Sequence, residues 1–103
     1  MYKITLFCAG GMSTSLLVNK MKEAAAKKGK ADAYDIHAYG LSETGTYAPD
    51  SDVILLGPQV RYAERQLRQQ YPGKKIVSMD MRYYGTMNGK AILEQAEQML
   101  EED

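Results

Sequence analysis

Cysteine is nearly absent from this chain of 103 residues: Cys8 is the only one, so no intrachain disulfide can form. Histidine is as scarce, and His37 with Cys8 cannot make a zinc cluster of the usual spacing. Tryptophan is missing, which leaves no indole to stack on a flavin. Net charge is missing too, because thirteen basic residues balance thirteen acidic ones. No long-range field therefore exists to recruit nucleic acid or an anionic membrane. The apolar stretch Ile4-Thr5-Leu6-Phe7 is far too short for a signal-peptide core or a membrane span. These absences point to a reducing, cytoplasmic setting and to partners recognised locally. No internal repeat or low-complexity tract occurs.

What is present suits one compact domain over 1–103, long enough to bury a core without disulfide or metal staples. Tyr2 to Cys8 is a short apolar run that stops at Gly10-Gly11, the pattern of a buried strand ending in a tight loop. From Ser15 the spacing turns helical. Leu17, Met21, Ala24 and Ala25 share one face, Lys27 and Lys28 suit the last turn, and Gly29 suits the cap. Tyr34, Ile36 and Ala38 alternate with Asp35, His37 and Tyr39, predicting a second strand with one face buried.

Residues 40–51 carry Gly, Ser, Thr, Pro and Asp and read as a connection with room for a helical turn, ahead of a third strand over 52–56. Pro58 opens a helix in which Val60, Ala63, Leu67 and Tyr71 keep helical spacing as far as Pro72-Gly73. Ile76 to Met79 makes a fourth strand. After Tyr84-Gly85, residues Ile92, Leu93, Ala96, Met99 and Leu100 stripe a last helix. Strand and helix thus alternate throughout, which predicts an α/β fold: an open four-stranded parallel sheet with helices on both faces. In such sheets ligands bind at the carboxyl ends of the strands, where the winding reverses.

Residues 8–15 read Cys8-Ala9-Gly10-Gly11-Met12-Ser13-Thr14-Ser15 and join the first strand to the first helix. Glycines let the backbone close around a ligand, and a helix start adds free N–H donors and the positive end of its dipole, together a cradle for a phosphoryl group. The same donors stabilise a thiolate, so Cys8 is expected to have a lowered pKa and to act as a nucleophile. From spacing alone, a cysteine buried as a small hydrophobe is an equally good reading. Ser13, Thr14 and Ser15 serve as helix caps as readily as phosphoryl ligands.

Leu6-Phe7-Cys8 followed by Gly11-Met12-Ser13-Thr14-Ser15-Leu16-Leu17 resembles the phosphorylation loop of IIB subunits of the lactose/cellobiose family of the sugar phosphotransferase system. The likeness extends to Asp52-Val53 with Leu55-Leu56-Gly57-Pro58-Gln59 and to Tyr84-Gly85, and so covers essentially the whole chain. It implies a four-stranded parallel sheet, similar to that of low-molecular-weight tyrosine phosphatases, with a phosphate-binding loop after strand one. It implies that Cys8 takes a phosphoryl group from a phosphohistidine of a IIA protein and discharges it onto a sugar of β-glucoside or galactoside type, held by a membrane IIC permease. Ala9, Gly10, Gly11, Met12, Ser13, Thr14 and Ser15 would then hold the phosphoryl group. Gly57, Pro58 and Gln59 would share its edge of the sheet, and Met12, Pro58, Gln59, Arg61 and Tyr84 would face the partners. No cofactor or metal is expected, a monomer outside the complex is the default, and the protein is expected to be cytoplasmic and associated peripherally with the permease.

Two rivals share this geometry. A low-molecular-weight tyrosine phosphatase also begins its loop with cysteine after strand one, but carries an arginine six residues later, where this chain has Thr14. Without a guanidinium to grip the equatorial oxygens, hydrolysis should be poor and a phosphocysteine should persist. A flavodoxin-like domain would have to stack its flavin on Tyr39, Tyr47, Tyr62, Tyr83 or Tyr84, and the purified protein would be yellow.

Other conspicuous residues have plainer readings. His37 lies on the alternating face of strand two, away from the loop, as a structural or surface histidine. Met12 suits docking at the loop tip or packing over the loop. Arg61, Arg65 and Arg68 read as a solvated helix face with Glu64 as intrahelical partner, only Arg61 lying near the site. Asp80, Arg82, Tyr83 and Tyr84 follow strand four at the same edge, where Asp80 acting as a general acid is the minor reading.

Overall fold

The computed structural model describes residues 1–9 and 12–101. Four strands form one sheet: β1 (Tyr2–Cys8), β2 (Tyr34–Gly40), β3 (Val53–Leu56) and β4 (Lys75–Ser78), in the order β2-β1-β3-β4. Every neighbouring pair is parallel. Both faces of β1 are covered, which is why its sequence is an apolar run rather than an alternation. Ile4, Leu6 and Cys8 enter one core cluster and Phe7 the other. Thr5, the polar interruption, is buried, and its hydroxyl lies 2.6 Å from that of Ser51.

The first face is covered by α1 (Met12–Lys27) and α5 (Gly89–Glu101), with Leu17, Val18 and Met21 packed among Ile92, Leu93 and Ala96. Helix α1 stops where its sequence predicts. Gly29 takes a positive φ of 72°, its N–H donates to the carbonyl of Ala26 at 3.0 Å, and the N–H of Lys30 donates to that of Ala25 at 2.8 Å. That paired arrangement satisfies carbonyls the helix end would leave open. The second face carries a 3₁₀ turn over Pro58–Ala63 followed by α3 (Glu64–Gln70), which bury Val60, Ala63 and Leu67 beside Ala48. The predicted apolar faces of all three long helical segments are therefore the buried ones.

Four boundaries differ from expectation. Helix α1 begins at Met12 rather than Ser15, so Ser13, Thr14 and Ser15 lie in its first turn, where unpaired N–H groups make Ser and Thr inexpensive. The connection 40–51 is almost wholly helical, with 3₁₀ turns at Leu41–Glu43 and Ala48–Asp50 around α2 (Thr44–Tyr47). The helix expected from Pro58 is broken, because Val60 takes φ −119° and ψ 19° as it turns into the core at 3% exposure. Last, α4 (Met81–Gly85) was not foreseen. Asp80 starts it by accepting the Arg82 N–H at 2.8 Å, in a segment too short to show periodicity.

Candidate functional site

The sheet register gathers the strand ends on one edge. Cys8 lies opposite Gly40, Phe7 opposite Leu56, and Leu56 opposite Ser78. From β1 the chain crosses to β2 on one side, then passes back over β1 to β3 and β4 on the other. Cys8 thus ends a central strand where the winding reverses, the place at which open α/β sheets receive ligands.

Around the sulfur the packing is close. Cys8 is only 2% exposed. The N–H of Gly57 donates to the carbonyl of Phe7 at 2.8 Å in the β1–β3 ladder, and also acts on the Cys8 sulfur. A Cβ on Gly57 would sit 2.9 Å from that sulfur, so glycine is what lets β3 pass beside it. The same Cβ would be 3.3 Å from Oε1 of Gln59, whose side chain reaches back over this spot. Pro58 is half-buried, whereas Gln59 and Arg61 are exposed. Tyr84 is half-buried against the α1–α5 core, which commits part of its ring to packing.

Burial pushes the Cys8 thiol above its ordinary pKa, while hydrogen bonding from the Thr14 hydroxyl and the Gly57 N–H pulls it back without cancelling the rise. The expected lowered pKa is therefore corrected. Removing a sulfur from water disfavours its anion more than two donors favour it. Thr14 is 5% exposed, and its Oγ1 makes no full hydrogen bond within the structure described. Its hold on the thiol is accordingly weak, and a buried hydroxyl is left with capacity to bond something else. Ser15 is exposed on the outer side of α1, and Ala9 is exposed just beyond the strand. Gly10 and Gly11, and the side-chain roles expected of Met12 and Ser13, lie outside the described residues.

His37 is not part of this edge. It pairs in register with Thr5, three residues short of Gly40, and its Nε2 lies 2.6 Å from Oδ1 of Asp35. Asp80 does reach the edge, but hydrogen bonds from Arg82 hold its carboxyl below the usual range. An ionised, engaged carboxylate is the opposite of what a general acid needs. Leu16, Tyr62 and Met81 are 49%, 75% and 61% exposed, each on an element that leaves this edge. Sequence reasoning did not foresee that they face water together, since an apolar residue gives no local sign that it is exposed.

Among the described residues no group of His, Cys, Asp and Glu is arranged to hold a metal ion, and no helix is long and apolar enough to cross a membrane. The family described as the lactose/cellobiose-specific IIB subunit of the phosphotransferase system has a sequence profile that matches residues 3–95. The chain belongs to this family. It is accordingly a IIB component of a sugar phosphotransferase system, a part of a transferase. It is 40% identical over 104 residues to the galactose-specific EIIB component of Lactococcus lactis subsp. cremoris, covering 94% of each chain. It is also 40% identical over 104 residues, with the same coverage, to the cellobiose-specific EIIB component of Lactococcus lactis subsp. lactis. Among solved structures, the lactose-specific IIB domain from Streptococcus pneumoniae superposes with a TM-score of 0.81 at 20% identity, covering 95% of this chain and 96% of that one, which shows a shared fold.

Proposed function

We propose that Cys8 is the phosphoryl carrier of this IIB chain, loaded by a phosphohistidine of a IIA protein and discharged onto a sugar bound by a membrane IIC permease. The observation that supports it best is the pairing of Cys8, at the end of a central strand, with the buried and unsatisfied hydroxyl of Thr14 in the first turn of α1. A phosphoryl group on the sulfur would give that hydroxyl an acceptor, and the first turn of α1 would add N–H donors and its dipole.

In the loading step the N–P bond of the donor breaks and an S–P bond forms. Cys8 starts as the thiol, in line with its raised pKa, and its proton leaves with the departing imidazole nitrogen. Discharge reverses the polarity. The S–P bond breaks as the sugar hydroxyl oxygen forms the O–P bond, and the hydroxyl proton passes to the departing sulfur, which returns to the thiol that its raised pKa favours. Both steps need in-line approach and exclusion of water by the docked partner, with no metal called for when the donor N–P bond is already reactive. Exposed Leu16, Tyr62 and Met81, with Gln59 and Arg61, provide a surface on which partners exclude that water.

Thr14, where a phosphatase has arginine, and the engaged Asp80 both favour relay over hydrolysis. Equal identity to relatives named for galactose and for cellobiose leaves the β-glucoside and galactoside classes equally supported. The chain is read as one IIB domain, cytoplasmic, monomeric when free, and membrane-associated through the permease. Intact-mass analysis after incubation with phosphorylated IIA protein, without added metal, tests the proposal. The native chain should gain one acid-stable phosphoryl adduct and Cys8→Ser none. Hydrolysis of an aryl phosphate without an adduct would establish the phosphatase reading instead, and a strict magnesium requirement would contradict the mechanism.

A further inference from the structure

A groove of about 540 Å³ runs between the middle of α1 and the start of α5, apart from the Cys8 edge. Its floor includes Ala24 and Met87, and its rim carries Lys20, Lys27, Lys28 and Lys90 against the single carboxylate of Glu23. Lys28 is engaged by Glu97 at 2.6 Å. Lys20, Lys27 and Lys90 enter no ion pair among the described residues. In a chain whose formal net charge is zero, this excess is a local feature and not a consequence of composition. The walls are firm, because Gly89 packs so tightly on α1 that a Cβ there would lie 2.5 Å from the backbone carbon of Lys20.

Helix α1 connects the groove to the phosphoryl site. It starts at Met12 beside the loop, and Lys20 follows after about two turns, some ~12 Å along the axis. We infer that the groove receives an acidic, partly apolar segment of the phosphoryl-donor protein while that protein is seated over Cys8. The inference rests on the relay reading and adds a second point of contact to it. A relay partner has to arrive, transfer and leave, which favours rapid association over tight binding. Ammonium groups supply this through local electrostatic attraction, and the small apolar floor fixes the register.

Titration of the ¹⁵N-labelled chain with the unphosphorylated IIA protein of its own system reads the contact without any chemistry. Amide shifts are expected at Lys20, Ala24, Met87, Gly89 and Lys90 as well as around Cys8, and K20E/K27E/K90E should lose the first set. In phosphoryl transfer at low salt, that variant should show a kcat/KM about tenfold or more below native, converging with native at high salt. A variant with the same charge change elsewhere, K22E/R65E/K74E, should stay closer to native. Shifts confined to the Cys8 edge, or equal losses in both variants, would overturn the groove. If the native chain accepts no phosphoryl group at all, the relay reading fails, and the titration alone still decides whether the groove is a docking site.

Discussion

Sγ of Cys8 lies 2.9 Å from where a Cβ on Gly57 would stand, and Cβ of Cys8 lies 3.4 Å from the same point. The absence of a side chain at residue 57 therefore sets where the sulfur can be. In Gly57→Ala one added carbon meets the free end of a side chain, which can rotate aside, so stability should stay near native. Gly57→Val adds bulk that rotation cannot clear. Phosphoryl transfer from the donor should fall by about 10²-fold, the order of loss expected when a nucleophile is misplaced by an ångström. Single-turnover transfer rates beside thermal melts check this, and a Gly57→Val chain that transfers at the native rate would refute it.

Thr14 and Cys8 make a second linked pair. Burial raises the thiol pKa, and the Thr14 hydroxyl is the first of the two groups that lower it. Alkylation by iodoacetamide at neutral pH should be slower than for a free cysteine, and should climb as the pH rises past the ordinary thiol value of 9.0. Thr14→Val deletes the hydroxyl while keeping the shape, so its alkylation profile should move to still higher pH. A shift toward lower pH would mean that the hydroxyl does not stabilise the thiolate.

How much of this was legible in the sequence depended on range. β1 and β3 were visible because strands buried on both faces are apolar throughout, and the faces of α1 and α5 because helical spacing repeats over several turns. The position of Cys8 at the strand end followed from those elements alone. The direction of its pKa did not, since it depends on how completely the fold closes over the sulfur. The proximity of Gly57 is likewise a product of sheet register, joining residues 49 apart in the chain. Helix α4 and the break at Val60 were hidden because one turn is too short to carry a period.

Glu97 gathers Lys28 at 2.6 Å, Lys30 at 3.2 Å and the Tyr34 hydroxyl at 2.6 Å, tying the turn after α1 to β2 and α5. Burial opposes its ionisation, but the bonds from Lys28, Tyr34 and Lys30 prevail and its pKa lies below the ordinary 4.5. A depressed carboxylate stabilises the fold above its unfolded pKa, and that contribution is lost as the pH falls below 4.5 through the folded value. Glu97→Gln should cost about 1–2 kcal/mol at neutral pH and flatten the acid limb of the stability curve. Tyr34 behaves in the opposite sense. Its pKa is pushed up to about 12 from 10.0, first by burial and then by Glu97, so the stability it lends is present below pH 10 and disappears as the pH rises toward 12. Tyr34→Phe should remove that alkaline loss, as measured by urea midpoints against pH.

Gly89 begins α5 where it crosses α1. A Cβ there would lie 2.5 Å from the carbonyl carbon of Lys20 and 2.7 Å from the amide nitrogen of Met21. Both are backbone atoms inside a helix, so neither can swing away as the Cys8 sulfur can from residue 57. Gly89→Ala must instead push the two helices apart, loosening Met21, Ile92 and Leu93 in the core between them. Alanine would ordinarily favour a helix over glycine by up to ~1 kcal/mol, and overpacking of this kind costs roughly 1–3 kcal/mol, so the net effect should be destabilising. The midpoint of thermal unfolding should fall by several degrees, on the order of 4–8 °C per kcal/mol for a domain of this size. If it rises instead, the helix crossing is looser than these distances imply, and the firm wall of the lysine groove goes with it.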